Sequence, residues 1–382
     1  MKILALTSIR SDYDLLSPLY ALLDKDEAID FRLIVSGAHL CVEHGYTKKY
    51  IEKDGFKILL EIETLINSDT LKSKLKTASI FLQNSIDIVS QFSPDVILYA
   101  GDREDVIMGG LLGTYLHIPT IHFYGGDHET GGHEDTVVRH ATSKLSTYHF
   151  TSTEEHKARL LKMGESKSRI YNIGSVALDK FKKYEPLGLK YIAEYFLLEN
   201  LNKIAIVIYH PSPSDLDNDV VVFKNILDSL KEKGIFSFVS YPNTDSNSGQ
   251  IVNVIREYKG DNNFYFFKNL ERTMFLSIFK CSQFIIGNSS AGLLEAATIP
   301  IPAINVGERQ KDRMAGKNVL FCDTQKSEIL NTINNATSAE FLNTISGMKN
   351  PYGNGDSAEK AYALIKSLDL RSLLKKIEDP LC

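Results

Sequence analysis

The chain has 382 residues, which at about 150 residues per domain points to two domains. Hydrophobic residues make up 43% and charged residues 24%, enough apolar side chain to offset the entropy of ordering, so disorder is excluded as the main state. A formal charge of −5 leaves no basic field for nucleic acid or an anionic membrane, and any bound anion must be met by local groups.

The first apolar run, KILALT (2–7), reads as a buried strand. TSIRSDYDLLSPL follows and places Arg10 on a strand-to-helix loop, where Ser11 or Asp12 can cap a helix through 16–23. A helix N-terminus beside an arginine makes a small anion site. Arg10 and Asp12 also interrupt the apolar run before a signal-peptide core would end. FRLIVSG (31–37) is a second strand, and helical spacing runs from Leu71 to Phe92. DVILYAG (95–101) is a third, ending in AGDREDVIMGGLLG. There Asp102 has two readings: cap of a helix through Val106–Tyr115, or a carboxylate in a cleft with Arg103 beside it.

IPTIHFYGG (118–126) and STYHFTS (146–152) complete the strands of the first half. Between them lies the densest polar cluster, 122–144, with His122, His128, His133, His140, Asp127, Glu129, Glu134, Asp135 and Arg139. Its glycines let the backbone turn sharply, which makes a poor stability device and a good reaction site. The histidine spacing lacks H-E-x-x-H, so acid–base use is expected and a metal is not.

The pattern then restarts with KIAIVIYHP (203–211), IFSFVSYPN (235–243), SQFIIGNSS (282–290) and PIPAINVG (300–307). His210 stands directly after the first of these strands and Asn243 after the second. In GNSSAGLLEAA (287–297), Asn288, Ser289, Ser290 and Gly292 lead into an apolar helix whose free N–H groups suit a diphosphate. Glu295, one and a half turns inside that helix, is placed to reach sugar hydroxyls. Arg309 and Arg313 add positive charge after the last strand. The expected fold is α/β, two Rossmann-like doubly wound lobes facing across a cleft. The lobes span 1–175 and 203–355, with a hinge at 176–202 and C-terminal helices (356–382) packing back across them. Four scattered cysteines support neither a disulfide framework nor a zinc site. No stretch approaches the ~20 uncharged residues of a membrane span, so a soluble, cytoplasmic protein is expected. There is no G-x-S-x-G and no Walker lysine motif.

TSIRSDY (7–13), SGAHL (36–40), HGYT (44–47), GDRED (101–105), GGD (125–127) and DTVVRHATSKLSTYHF (135–150) form a pattern with MGE (163–165), NIGSVALD (172–179), HP (210–211), YPNTD (241–245), GNSSAG (287–292) and GERQKDR (307–313). That pattern resembles the UDP-N-acetylglucosamine 2-epimerases, in the hydrolysing branch of bacterial sialic-acid and legionaminic-acid synthesis. The resemblance implies a fold like the B-type glycosyltransferases, a UDP-sugar substrate, a homodimer, and no metal or redox cofactor. It implies removal of the C2 proton, elimination of UDP to a 2-acetamidoglucal, and hydration to N-acetylmannosamine. The alternatives are the same reaction on a UDP- or GDP-linked 2,4-diacetamido sugar, or a glycosyltransferase of the same build.

Asp102 and Asp135 match catalytic aspartates of the family. Tyr124 stands where many relatives carry a glutamate, and Asp127 replaces a commoner glutamate, so Asp127 or His122 is expected to take over the missing acid–base task. Arg103 stands where the non-hydrolysing members usually carry threonine. With His210, these set the expected catalytic group as Asp102, Asp127, Asp135, His122 and His210. The expected substrate and nucleotide group is Arg10, Arg103, Arg139, Asn243, Asn288, Ser289, Ser290, Gly292, Glu295, Arg309 and Arg313.

Overall fold

The computed structural model describes residues 1–66, 70–128, 134–182, 184–199, 201–211, 216–242 and 248–379. The chain divides into two compact units. The first takes the described chain up to Lys180 and again from Tyr352, and the second takes Phe181–Pro351.

The first unit is built on β1 (Lys2–Thr7), β2 (Asp30–Ser36), β3 (Ile58–Ile62), β4 (Val96–Ala100), β5 (Thr120–Phe123), β6 (Tyr148–Thr151) and β7 (Ile170–Asn172). They form one parallel sheet in the order β3-β2-β1-β4-β5-β6-β7. The central strand β4, VILYA, is buried at every position, as expected of a parallel strand with helices covering both faces. Along β1 the alternation of side chains divides the core: Ile3 and Ala5 join one cluster, with Tyr13, Leu16 and Tyr20 of helix Arg10–Asp24. Leu4 and Leu6 join the other, with Phe81 of helix Leu71–Phe92 and Val106 and Leu112 of helix Glu104–Leu116.

The second unit repeats the plan with β8 (Ile204–Ile208), β9 (Phe236–Ser240), β10 (Phe264–Phe267), β11 (Phe284–Gly287), β12 (Ala303–Val306) and β13 (Val319–Cys322). All are parallel, in the order β10-β9-β8-β11-β12-β13. Each sheet reverses its strand order once, at β1/β4 and at β8/β11. In such sheets ligands bind outside the carboxyl ends of the strands at the reversal.

The segment expected as a hinge carries structure of its own. Val176, Ala177 and Leu178 are fully buried in the first unit, and Phe181 and Ile192 are buried in the second. At the C-terminal end, helix Ser357–Ser367 joins the first unit's core through Ala358, Ala361 and Ile365. Among the described residues no helix is long and apolar enough to cross a membrane.

Candidate active site

In the first unit the polar side chains gather at the strand-order reversal. Arg10 opens helix Arg10–Asp24 just after β1, and Asp102 and Arg103 stand between β4 and helix Glu104–Leu116. The capping reading of Asp102 does not hold: the N-cap position is Arg103 and no side chain caps it. The Asp102 carboxylate pairs instead with Arg139 of helix Glu134–Leu145. Asp102 keeps 21% side-chain exposure while Arg139 has 8%.

Arg139 ties the first unit's expected site together. Beyond Asp102, it donates from Nη1 to the Tyr124 carbonyl at 3.2 Å and to Asp127 Oδ2 at 3.4 Å. Asp127 is itself buried; its Oδ1 accepts from the His128 N–H at 2.9 Å and lies 3.4 Å from His156 Nε2. The turn that brings Asp127 there needs glycine at 126. Its φ is +81°, and a Cβ would lie 2.3 Å from the His156 carbonyl oxygen. Asp135 is half-buried and lies one turn before Arg139 on the same helix face.

One expectation needs correction here. His122 is fully buried within β5, its Nε2 donating to the Gly101 carbonyl at 2.8 Å and its Nδ1 3.1 Å from Ser143 Oγ. Burial pushes its pKa down to about 3, so it is a neutral ring holding the Gly101 turn, not a group open to substrate. Tyr124 turns away from the carboxylates: it packs in the core, with its hydroxyl donating to the Leu15 carbonyl at 3.3 Å and accepting the Ala177 N–H at 3.3 Å.

Arg10 is oriented by two neighbours. Its Nε donates to Asp14 Oδ2 at 3.0 Å, and its guanidinium lies 3.9 Å from the Tyr50 ring centroid. Beneath it runs a buried network that inspection of strand ends missed. Asp12 accepts from the Ser8 N–H (2.9 Å), the Ile9 N–H (3.2 Å), Ser8 Oγ (3.1 Å) and the Thr7 hydroxyl. His39 joins Thr7 at 2.9 Å and Thr47 at 2.7 Å. Ser8 Oγ also lies 2.9 Å from Asp105 Oδ1. The signal was present in TSIRSDY and GDRED, where Asp12 and Asp105 each sit within a helix's first turn.

In the second unit the reversal brings His210, after β8, to Asn288, after β11. The Asn288 amide clamps the His210 backbone, accepting its N–H at 2.8 Å and donating to its carbonyl at 2.8 Å. Gly287 permits this approach: its φ is +141°, and a Cβ would lie 2.0 Å from the Ile208 carbonyl oxygen. The Asn288 carbonyl accepts from Arg309 Nη1 (3.2 Å) and Gln310 Nε2 (3.0 Å), and Arg313 donates to Gln310 Oε1 at 2.6 Å. Thus Asn288, Arg309 and Arg313 are gathered, but around a buried glutamine that the sequence reading passed over. Ser289 and Ser290 are partly exposed beside them. The apolar helix expected after them is a correction: it is the single turn Ala291–Leu294, with Glu295 at its C-cap. Gly292 packs toward Ala303 of β12, and Asn243 lies outside the described residues.

Comparison with known proteins bears on the family and the fold. A family profile described as UDP-N-acetylglucosamine 2-epimerase matches residues 21–366. The chain is 31% identical, over 97% of both chains, to UDP-N,N'-diacetylbacillosamine 2-epimerase (hydrolyzing) of Legionella pneumophila. It is 29% identical, over 88% of both chains, to a UDP-N-acetylglucosamine 2-epimerase of Neisseria meningitidis. Among solved structures, Neisseria meningitidis UDP-GlcNAc 2-epimerase bound to UDP-GlcNAc superposes with a TM-score of 0.81 at 18% identity, covering 96% of this chain and 100% of that one. That likeness shows the two-lobed, B-type glycosyltransferase-like fold.

Proposed function

The chain belongs to the UDP-N-acetylglucosamine 2-epimerase family, and on that premise we propose that it is a hydrolysing 2-epimerase of a UDP-linked 2-acetamido sugar. The observation that carries the reading is the Asp102 carboxylate, held by buried Arg139 yet left partly exposed at the strand-order reversal of the first sheet.

In this reading Asp102 takes the C2 proton. The C1–O bond breaks with its electron pair going to UDP, leaving a 2-acetamidoglucal. Water then adds across the double bond: C1 receives the hydroxyl, and C2 is reprotonated from the opposite face, giving the free 2-epimer and UDP. A C2 proton of this kind is weakly acidic, so stabilising the leaving diphosphate must carry much of the barrier. Arg10, Ser289, Ser290, Arg309 and Arg313 are assigned to that anion, Glu295 to sugar hydroxyls, and Arg103 and Asp135 to the reacting sugar. UDP-N,N'-diacetylbacillosamine and UDP-GlcNAc are the two donors to test, supported by the Legionella and Neisseria relatives respectively.

The test is to incubate the protein with each donor in D2O and follow the products by NMR. UDP and a free, C2-inverted sugar carrying deuterium at C2 are expected. Product without deuterium would overturn the elimination, and turnover of neither donor would overturn the reading as a whole.

A further inference from the structure

The Ser8 hydroxyl lies within hydrogen-bonding distance of two buried carboxyl groups, Asp12 Oδ2 at 3.1 Å and Asp105 Oδ1 at 2.9 Å. A hydroxyl carries one proton and can donate it to one of them only. Asp12 is the better-supplied anion: two backbone N–H groups and the Thr7 hydroxyl already point at it. Asp105 is 5% exposed, and among the described residues Ser8 Oγ is its one hydrogen-bond partner. If Asp105 were ionised, two carboxylates would share a single donor in a buried space. If it is protonated, the chain closes, with Asp105 donating to Ser8 and Ser8 to Asp12.

We infer that Asp105 is a neutral carboxylic acid and a positioning residue, whose proton ties the loop bearing Asp102 and Arg103 through Ser8 to the loop that leads into Arg10. The two loops leave neighbouring strands, β4 and β1, and Asp105 and Ser8 form a side-chain hydrogen bond between them. The surrounding charges agree with the proton's place. Burial raises the Asp105 pKa to about 7, with Asp12 from the neighbouring helix and Glu104 beside it adding in the same direction. Arg103 opposes them, and Tyr20, whose hydroxyl feels the Asp105 charge, is held neutral by burial. Ionisation of Asp105 would set it against Asp12 and push the two loops apart.

Two measurements test this, and only the second rests on the proposed reaction. The first is infrared difference spectroscopy on the whole protein between about pH 5.5 and about pH 8.5, a window spanning the shifted value. A protonated-carboxyl band should disappear as pH rises, and Asp105→Asn should lack that band. Its persistence in Asp105→Asn, or its absence from the unaltered protein at the acid end, overturns the assignment whatever the protein's activity. The second is the pH profile of kcat and KM. The unaltered protein should lose activity on the alkaline side. Asp105→Asn, whose amide still donates to Ser8, should keep kcat within about threefold at the acid end and flatten that loss. Asp105→Ala and Ser8→Ala should lower kcat/KM roughly tenfold at all pH values, the cost of about one hydrogen bond at a positioned group. Equal damage from Asn and Ala, with an unchanged alkaline limb, overturns the positioning role. If no variant turns over substrate, the infrared result still decides where the proton resides.

Discussion

Arg139 decides what the carboxylates around it can do. It faces Asp102, Asp127 and the Tyr124 carbonyl at once, so Arg139→Leu removes the guanidinium that the buried Asp127 shares with Asp102. Removing one partner of a buried pair costs about 3–5 kcal/mol, and a denaturant titration should show a loss of that order. Asp102→Asn keeps the shape and removes the proton acceptor. It should lower kcat by about 10² to 10⁴ while UDP affinity, followed by calorimetry, stays within about twofold. Equal loss of kcat and UDP affinity would return Asp102 to a structural role. His122 shows where residue reading stops. The sequence places it in the polar cluster, but the period of β5 turns it to the side of Tyr99, whose ring centroid is 5.6 Å away, and away from the face of Ile121 and Phe123. A neutral ring with a pKa near 3 contributes no limb to an activity profile near neutrality.

At the scale of elements, the nine apolar runs correspond to the nine interior strands of the two sheets. The four strands not anticipated, β3, β7, β10 and β13, are the four sheet edges. An edge strand of this kind is only partly covered, as in β13, where no residue is fully buried, so it lacks the continuous apolar run that marks a strand buried on both faces. The short turn Ala291–Leu294 was illegible for another reason: local spacing cannot show that a tertiary turn ends a helix early. Long-range charge contacts were equally hidden. Arg169, 1% exposed, donates to the carbonyls of Thr147, Leu373 and Lys375 and to both oxygens of Glu378, while Lys376 reaches Glu165 at 2.6 Å. Burial opposes charge on Glu165, but the His149 N–H, Lys376 and Lys144 outweigh it and hold its pKa at about 2. His149 stays neutral because burial pushes its own value down. A carboxylate depressed from 4.5 stabilises the fold above that value, and its contribution is lost as pH falls toward 2. Hydrogen exchange should therefore show residues 373–378 protected at neutral pH and released in acid. Glu165→Gln should release them at neutral pH as well, and unchanged protection in that variant would contradict the clamp.

The path of the whole chain makes the first unit depend on its last residues. The chain leaves that unit after Lys180, builds the second from Phe181–Pro351, and returns at Tyr352. Tyr352, Ala358, Ala361, Ile365 and Leu370 are all buried on return, and Asp179 accepts the Ser357 and Ala358 N–H groups at 3.1 and 2.7 Å. A buried Ile or Leu side chain contributes about 1.5–3 kcal/mol, so losing Ile365, Leu370 and Tyr352 together removes an amount comparable with the entire ~5–15 kcal/mol stability of a domain. The second unit's two core clusters draw only on residues between Phe181 and Ala336 and lose nothing. A chain ending at Pro351 should thus exchange its amides rapidly throughout β1–β7 while β8, β9, β11 and β12 stay protected, as peptide-resolved hydrogen exchange would show. Equal protection in both sheets would mean that the first core closes without its returning helix. Equal loss would mean that the two cores unfold as one, against the separate clusters from which this expectation is drawn.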